Sequence, residues 1–175
     1  MNRTQLIRYT ILFGISVGLT LILITFVIQP LDIVGKSMQP TLQNHEKVMV
    51  NKFIYDFKES KRFDIVVLYP KDDSKAKYIK RIIGLPGETI QIKNGETLIN
   101  GKILEEDKKY RKEKPRVDTK KYELDENEYF VMGDNRNHST DSRSGLMGPI
   151  KRRNIVGKAV CIYLPVTNAR IISHK

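Results

Sequence analysis

Three polar segments of the sequence carry residue types that could do nucleophilic chemistry. The first, residues 35–42 (GKSMQPTL), places Ser37 in a turn that begins with a glycine. A serine hydroxyl becomes an effective nucleophile when a neighbouring base takes its proton, and such a turn can expose both the hydroxyl and the backbone amide. By itself, a serine in a polar turn is usually only a turn residue, so the hypothesis requires a base elsewhere in the chain.

The second segment, residues 78–88 (YIKRIIGLPGE), supplies Lys80 as the candidate base. In a strand, Lys80 shares one face with Tyr78 and Ile82, so the cation has apolar neighbours. Only a neutral lysine is a base, and at the usual pKa near 10.4 roughly one amine in a few thousand is neutral at pH 7. Desolvation can lower a lysine pKa by about 3 to 5 units, and a buried Lys80 would therefore suit the role.

The third segment, residues 133–143 (GDNRNHSTDSR), concentrates hydroxyls, carboxylates and arginines after an apolar run. By itself it could be a solvated loop, but beside a buried lysine its side chains could orient the amine and pair with buried cations. It also contains His138 next to a serine and close to an aspartate. Neighbours in one turn rarely form a catalytic triad, and His45 and His174 are expected at the surface without the spacing of a zinc site.

The elements that position these segments are predicted to be strands, because short β-branched and aromatic runs alternate with turn residues. Asn94-Gly95 and Asn100-Gly101 predict tight hairpins, since both residue types accept the positive φ that such turns require. The pattern therefore predicts a mainly β fold with an antiparallel sheet. The predicted strands are residues 31–34, 47–52, 64–69, 78–83, 89–92, 97–99, 128–132 and 155–164.

An apolar, charge-free run covers residues 9–31 and as a helix would span about 34 Å, enough to cross a bilayer. We expect a transmembrane anchor that Pro30 ends. Two arginines precede the run, so the positive-inside rule places residues 1–8 in the cytoplasm and residues 32–175 outside. A cleavable secretory signal begins in the same way, but this run exceeds the usual length of about 7 to 15 residues and no small-x-small pair follows it.

The net charge of +11 raises the question of nucleic acid or anionic lipid as a partner. Residues 102–128 carry nine basic and nine acidic side chains, which indicates a mixed solvated surface rather than a phosphate-binding stripe. We expect no nucleic-acid partner. Within that stretch, residues 105–126 have few apolar side chains and predict a charged insertion on the core. The only cysteine, Cys161, permits neither an intrachain disulfide nor a cysteine metal cluster.

These segments resemble the type I signal peptidases, membrane proteases that remove signal peptides from exported proteins with a serine and a lysine. The likeness covers nearly the whole chain outside the charged insertion, in the family's order behind an N-terminal anchor. A single anchor and a short insertion are similar to the compact forms of Gram-positive bacteria. The matching motifs are SMQPT at 37–41, DIVV at 64–67, KRIIGLPG at 80–87 and GDNR at 133–136, with Ser139, Asp141, Ser142 and Arg143.

The resemblance implies a role for each matched residue. Ser37 would attack the scissile carbonyl, Lys80 would take and return its proton, and Ser139 would hydrogen-bond the lysine amine. The Ser37 amide would donate to the oxyanion. Some relatives have a serine as second donor two residues earlier, where this chain has Gly35, so the candidates there are a backbone amide or water. The supporting ion pairs implied are Asp134 with Arg81 and Asp141 with Arg143.

The substrate implied is a preprotein bound as an extended strand beside residues 31–35, with shallow pockets for small side chains at the first and third positions before the cut. Ordinary core packing is the alternative for each pocket residue. The implied pocket residues are Ile33, Met38, Leu42, Tyr78 and Ile79.

The resemblance thus implies a membrane-bound serine endopeptidase of signal-peptidase and LexA-like fold that cleaves after a small-x-small motif. Its implied partners are preproteins, the lipid bilayer and the secretion machinery. No metal or cofactor is implied, because nucleophile and base are both side chains. A LexA-like self-cleaving protease would need a DNA-binding front end and an Ala-Gly or Cys-Gly site, which this chain lacks. A non-catalytic membrane-tethered binding protein is the other alternative, and loss of the serine or the lysine would mark it.

Overall fold

The computed structural model describes residues 2–22, 27–70 and 76–173. Helix α1 spans Arg3–Ile22 and has no buried residue. Its length and composition would allow it to cross a membrane. Residues 23–26, which the predicted anchor includes, and His174 lie outside the described residues.

The chain becomes a strand earlier than predicted. Strand β1 spans Ile28–Asp32 and pairs antiparallel with β2, Lys47–Asn51. The expected helix end at Pro30 is therefore wrong. An apolar run fits a helix and a strand equally well, and a proline is tolerated in a strand at the edge of a sheet, where its missing N–H costs no ladder hydrogen bond.

The rest of the described chain is built mainly from short strands. A single helical turn, α2 (Ile54–Phe57), follows β2. The predicted strands from residue 47 onward are confirmed, with ends that differ by no more than one residue. In chain order the further strands are β3 (Ile65–Leu68), β4 (Tyr78–Gly84), β5 (Thr89–Lys93), β6 (Glu96–Ile99), β7 (Lys102–Ile103), β8 (Tyr122–Glu123), β9 (Glu128–Met132), β10 (Ile150–Lys151), β11 (Ile155–Leu164) and β12 (Arg170–Ile171).

The strands form two antiparallel sheets. The main sheet has eight strands in the order β1-β2-β11-β3-β4-β9-β10, with β12 beside β11. The small sheet has the order β7-β6-β5-β8, and its two hairpin turns are those predicted at Asn94-Gly95 and Asn100-Gly101, where all four residues have positive φ. The fold is thus mainly β with one N-terminal apolar helix, as the sequence predicts.

The main sheet is buried on both faces. Ile65 and Val67 of β3 belong to one apolar cluster, whereas Val66 and Leu68 belong to another. The first cluster also contains Met38 and Leu42, which are 1% and 0% exposed and flank the predicted nucleophile turn. Burial of a side chain of this size contributes about 1.5 to 3 kcal/mol, so the core holds this turn in place.

The charged insertion, residues 105–126, is attached to the core at several points. A short 3-10 helix, Glu105–Lys109, carries the buried Asp107, and β8 adds to the small sheet beside β5. Leu124 is 5% exposed and packs in the core cluster around Phe130. The charged side chains of the insertion face solvent at most other positions, which fits the predicted mixed surface.

Candidate active site

Ser37 and Lys80 lie in hydrogen-bond contact although 43 residues separate them. Lys80 Nζ is 2.9 Å from Ser37 Oγ and 3.0 Å from the carbonyl oxygen of Ile79. Ser37 is in the turn after β1 and Lys80 is on β4, so two distant segments supply the pair. A hydroxyl this close to an amine is the geometry that a serine nucleophile and a lysine base require.

Lys80 is 3% exposed, and this burial lowers its pKa from 10.5 to about 8. The carboxylates of Asp141 and Asp134 oppose the shift because they favour the ammonium form, and the Arg143 guanidinium adds to it. The Tyr78 ring also lies against the amine, with its centroid 5.4 Å from Nζ. At a pKa near 8, about a tenth of the amines are neutral at pH 7, several hundredfold more than for a free lysine.

The predicted ion pair between Arg81 and Asp134 is formed, and both side chains are fully buried. Arg81 Nε and Nη2 donate to the two carboxylate oxygens at 2.8 and 2.7 Å, and the guanidinium lies 4.1 Å from the Tyr110 ring centroid. The Thr41 hydroxyl donates to the same carboxylate. The pair therefore joins β4, the nucleophile turn and the start of residues 133–143, which we call the polar loop.

Replacing Asp134 by alanine should lower the free energy of unfolding by about 3 to 5 kcal/mol, because it leaves the buried Arg81 cation without its counter-charge. Asp32→Ala is the control: it breaks the Asp32–Lys47 pair, whose side chains are 64% and 44% exposed, and should cost less than about 1 kcal/mol. Urea unfolding in detergent measures both. Similar losses in the two variants would show that burial is not what makes the Arg81 pair matter.

The predicted Asp141–Arg143 pair is also formed inside the polar loop. Arg143 Nε and Nη2 donate to Asp141 at 2.8 and 2.7 Å, and the Gly133 amide donates to the same carboxylate at 3.0 Å. Burial raises the pKa of Asp141, but these hydrogen bonds outweigh it and hold the pKa below its usual value. Asp141 is therefore a buried anion that joins Gly133 and Arg143, the two ends of the polar loop.

Ser139 lies in the polar loop beside the nucleophile turn. A Cβ placed on Gly133 would meet both the Ser139 hydroxyl and the Ser37 carbonyl oxygen, so the two serines flank the same glycine. The Ser139 oxygen is buried beside Asp141 and helps to lower the pKa of that carboxyl group, although the contact does not have the geometry of a regular hydrogen bond. Lys80 Nζ donates to Ser37 and Ile79 in this geometry, and the orienting contact from Ser139 to the amine stays a prediction.

The amides near Ser37 bear on how an oxyanion could be held. The Ser37 N–H makes no hydrogen bond to another residue in the described part of the chain. The Gly35 N–H, by contrast, donates to the Asn44 side chain at 2.7 Å. Gly35 also has φ 103, which an L side chain rarely adopts, so a serine in this backbone would be strained. The Ser37 amide is thus the available donor, and the Gly35 amide is already engaged.

An open groove of about 480 Å³ leads to Ser37 and Lys80. Of the predicted pocket residues, Ile33, Tyr78 and Ile79 line it, whereas Met38 and Leu42 are buried in the core beside them. His138 and Thr140 also line the groove. Ile33 and Ile79 belong to a core cluster and also line the groove.

Sequence reasoning assigned no role to Asn135, which lies between the two main segments of the site. Its backbone N–H donates to the Ser37 carbonyl at 3.0 Å, and its side-chain Nδ2 donates to the Lys36 carbonyl at 3.1 Å. These two bonds attach the polar loop directly to the nucleophile turn. The residue belongs to the GDNR motif, so its position was indicated but its contacts were not.

Comparison with known proteins gives consistent matches. The family model described as "Signal peptidase, peptidase S26" matches residues 6–164. Signal peptidase I P of Bacillus subtilis subsp. natto is 39% identical over 166 residues, 89% of this chain and 88% of the relative. Signal peptidase I S of Bacillus subtilis strain 168 is 40% identical over 165 residues, with the same coverage. A crystal structure of a signal peptidase I from Enterococcus faecalis V583 has a TM-score of 0.46 and 33% identity, covering 58% of this chain and 97% of its own.

Proposed function

This chain belongs to the signal peptidase family, peptidase S26, and from that membership we propose that Ser37 is the nucleophile and Lys80 the general base of a membrane-anchored enzyme that removes signal peptides. The observation that carries the residue assignment is the 2.9 Å contact between Lys80 Nζ and Ser37 Oγ, with the amine buried. Membership in the family supports a peptidase that acts on preproteins with signal peptides.

The proposed reaction begins with neutral Lys80. Its amine takes the proton from the Ser37 hydroxyl as the oxygen attacks the scissile carbonyl, and the carbonyl oxygen becomes an oxyanion that the Ser37 N–H can bind. The resulting ammonium then gives its proton to the nitrogen of the leaving peptide. The C–N bond breaks, the mature protein leaves, and the signal peptide remains as an ester on Ser37.

The second half of the proposed reaction uses the same two groups. Lys80, neutral again, takes a proton from a water molecule that attacks the ester carbonyl, and returns it to Ser37 Oγ as the ester bond breaks. The signal peptide leaves with a new carboxylate and the enzyme is restored. Burial lowers the pKa of Lys80 enough for the amine to act in both directions near neutral pH.

Two unpaired strand edges support binding of an extended peptide in the groove. β1 is the first strand of the main sheet, so one of its edges has no neighbour in the described chain. β9 pairs with β4 only from Arg81 to Gly84, so Tyr78–Lys80 lacks a strand on that side. A peptide strand could form backbone hydrogen bonds with both edges, with alternate side chains turned toward the groove floor. Ile33 and Ile79, which line the groove, are also packed in the core, and this supports a preference for small side chains in a small-x-small pattern.

Helix α1 supports the membrane anchor in this proposal. Its 20 residues would span about 30 Å, they bury nothing within the described structure, and the helix contains Arg3 and Arg8 near its start. By the positive-inside rule the N-terminus would be cytoplasmic and the catalytic domain would lie on the exported side. Protease protection of the domain in sealed vesicles distinguishes this orientation from the reverse.

The direct test is incubation of the detergent-solubilised protein with a preprotein whose signal peptide ends in a small-x-small pattern. Mass spectrometry of the products identifies the cut bond. Cleavage at that bond is the expected result, and the variants described in the Discussion assign it to Ser37 and Lys80. A non-catalytic binding protein would instead retain the preprotein intact.

Cleavage should depend on pH through Lys80. Since only the neutral amine is a base and the pKa of Lys80 is about 8, kcat/KM should rise with pH and level off above a midpoint near that value. His138→Gln is the control, because His138 lines the same groove as Ser37 and Lys80. The variant should keep the same midpoint. Loss of the pH dependence in His138→Gln would instead show that the histidine, not Lys80, is the base.

A further inference from the structure

A further buried ion pair, distinct from the two in the active site, joins the charged insertion to the polar loop. Arg136 Nη1 and Nη2 donate to the two oxygens of Asp107, both at 2.6 Å, and the side chains are 0% and 1% exposed. The buried Thr97 hydroxyl donates to the same carboxylate at 2.7 Å. Asp107 belongs to the insertion, Arg136 to the polar loop and Thr97 to the small sheet, so three elements meet at one carboxylate.

Arg136 holds the polar loop at both ends. Its Nε donates to the Gly133 carbonyl at 3.0 Å, and its own carbonyl accepts a hydrogen bond from Arg143 Nη2 at 2.6 Å. The preceding residue, Asn135, makes the two hydrogen bonds that attach the loop to the turn of Ser37. A movement of Arg136 would therefore also move Asn135 and the backbone turn that contains Ser37.

The insertion makes further hydrogen bonds with the polar loop. The Lys112 amide donates to the Asp134 carbonyl at 2.9 Å. The Arg116 amide donates to the Asn137 side-chain oxygen at 3.0 Å, and the Asn137 side chain donates in return to the Lys114 carbonyl at 3.0 Å. The polar loop is therefore hydrogen-bonded both to the insertion and to the turn of Ser37.

A buried ion pair of this kind is a poor source of net stability, because the cost of desolvating both charges offsets their attraction. It does impose geometry, since a bidentate contact between two planar groups fixes both distance and orientation. We propose that Asp107 and Arg136 are positioning residues, through which the charged insertion holds the polar loop so that Ser37 stays aligned with Lys80. The inference rests on the proposed function, and it gives the charged insertion a part in catalysis.

The polar loop also controls the surroundings of the lysine amine. The charged groups that act on Lys80 are Asp141, Asp134 and Arg143, all from this loop, but burial has the largest effect on its pKa. The Tyr78 ring also lies against the amine. If the loop moves away, water reaches the amine. Hydration favours the ammonium, so the pKa of Lys80 should rise toward its ordinary value and the midpoint of the activity profile should move to higher pH.

The test compares Asp107→Asn with Glu105→Gln. Both variants neutralise one carboxylate in the same 3-10 helix, but among the residues that the structure describes Glu105 pairs only with the exposed Lys108. Asp107→Asn should lower kcat by about 10- to 100-fold, as expected for a small misplacement of a reacting group, with KM changed less than about threefold and the pH midpoint raised. Amide hydrogen exchange in residues 133–143 should also become faster. Glu105→Gln should behave as the unaltered protein in all four measurements.

Thr97→Val is the milder variant that decides the question if Asp107→Asn does not fold. It keeps the ion pair and the shape of the side chain but removes one hydrogen bond from the Asp107 carboxylate, so kcat should fall by about threefold with the same direction of pH shift. The proposal would be overturned if a folded Asp107→Asn variant had unchanged kcat, pH midpoint and amide exchange in the polar loop. If Asp107→Asn does not fold, the same result with Thr97→Val would overturn it. Failure of the unaltered protein to cleave any preprotein would instead reject the proposed function.

Discussion

Replacing Ser37 by alanine, or Lys80 by methionine, should reduce preprotein cleavage by about 10⁴-fold or more while the protein stays folded. Ser37→Ala removes the oxygen that is proposed to attack the carbonyl. Lys80→Met keeps an unbranched apolar side chain of similar length but removes the amine that is proposed to take the proton. A cleavage assay followed over hours, with near-UV circular dichroism to report folding, measures both effects.

The matched control for the lysine is Lys77→Met. Lys77 lines the same groove, with its Nζ 5.9 Å from the Tyr69 ring centroid, and it should lose no more than about threefold in activity. Equal losses at Lys77 and Lys80 would mean that the positive charge of the groove, rather than one base, supports cleavage. Activity retained in Ser37→Ala or in Lys80→Met would reject the serine–lysine assignment.

Lys80→Met should also make the protein more stable, which a purely structural lysine would not do. Lowering the pKa of Lys80 from 10.5 to about 8 means that burying the ammonium costs about 3 kcal/mol at neutral pH. Loss of the hydrogen bonds to Ser37 and Ile79 offsets part of the gain, so we expect a net increase of about 1 to 2 kcal/mol in the free energy of unfolding.

The pH dependence of that gain follows from the sign of the shift. Below pH 8 the amine is protonated in both the folded and unfolded states, and the full cost of burying the charge is present. Between about pH 8 and 10.5 the folded protein releases its proton first, so the unaltered protein becomes relatively more stable and the advantage of Lys80→Met should shrink. Urea unfolding of both proteins at pH 7 and pH 10 measures the difference.

Most strands could be predicted because their signals are local. Runs such as IVVL in β3 are rich in β-branched residues and bounded by turn residues, and the Asn-Gly turns accept positive φ wherever they occur. Residues 28–30 were misassigned to the helix because nothing local distinguishes an apolar strand from the end of an apolar helix. Their pairing with β2 depends on residues about twenty positions further along the chain.

The same distinction applies within the site. Residue types and motif order brought Ser37 and Lys80 together as candidates, and the two are in contact. The Arg81–Asp134 and Asp141–Arg143 pairs that the resemblance implied are also present. The contacts that hold these groups could not be anticipated. The side chain of Asp107 pairs with an arginine of the polar loop because of the way the small sheet packs. No pattern in the insertion distinguishes this aspartate from its acidic neighbours.

Gly133→Ala should lower kcat by about 10²-fold, because it alters the backbone that aligns the nucleophile. A Cβ at position 133 would overlap the Ser37 carbonyl oxygen and the Ser139 hydroxyl, both closer than van der Waals contact allows. Since the Asn135 amide is bonded to that same carbonyl, the turn and the loop would have to separate. The strain should also lower the free energy of unfolding by about 1 to 3 kcal/mol.

Gly145→Ala separates this steric effect from the general effect of replacing a glycine. An added Cβ at Gly145 would meet no other heavy atom within 4 Å, and the residue follows the polar loop by only two positions. It should keep its activity within about threefold, as measured by the same preprotein cleavage assay. Equal activity of Gly133→Ala would mean that the turn of Ser37 can move away from the polar loop without misaligning its hydroxyl. In that case, close packing of these two segments would not be what positions Ser37 against Lys80.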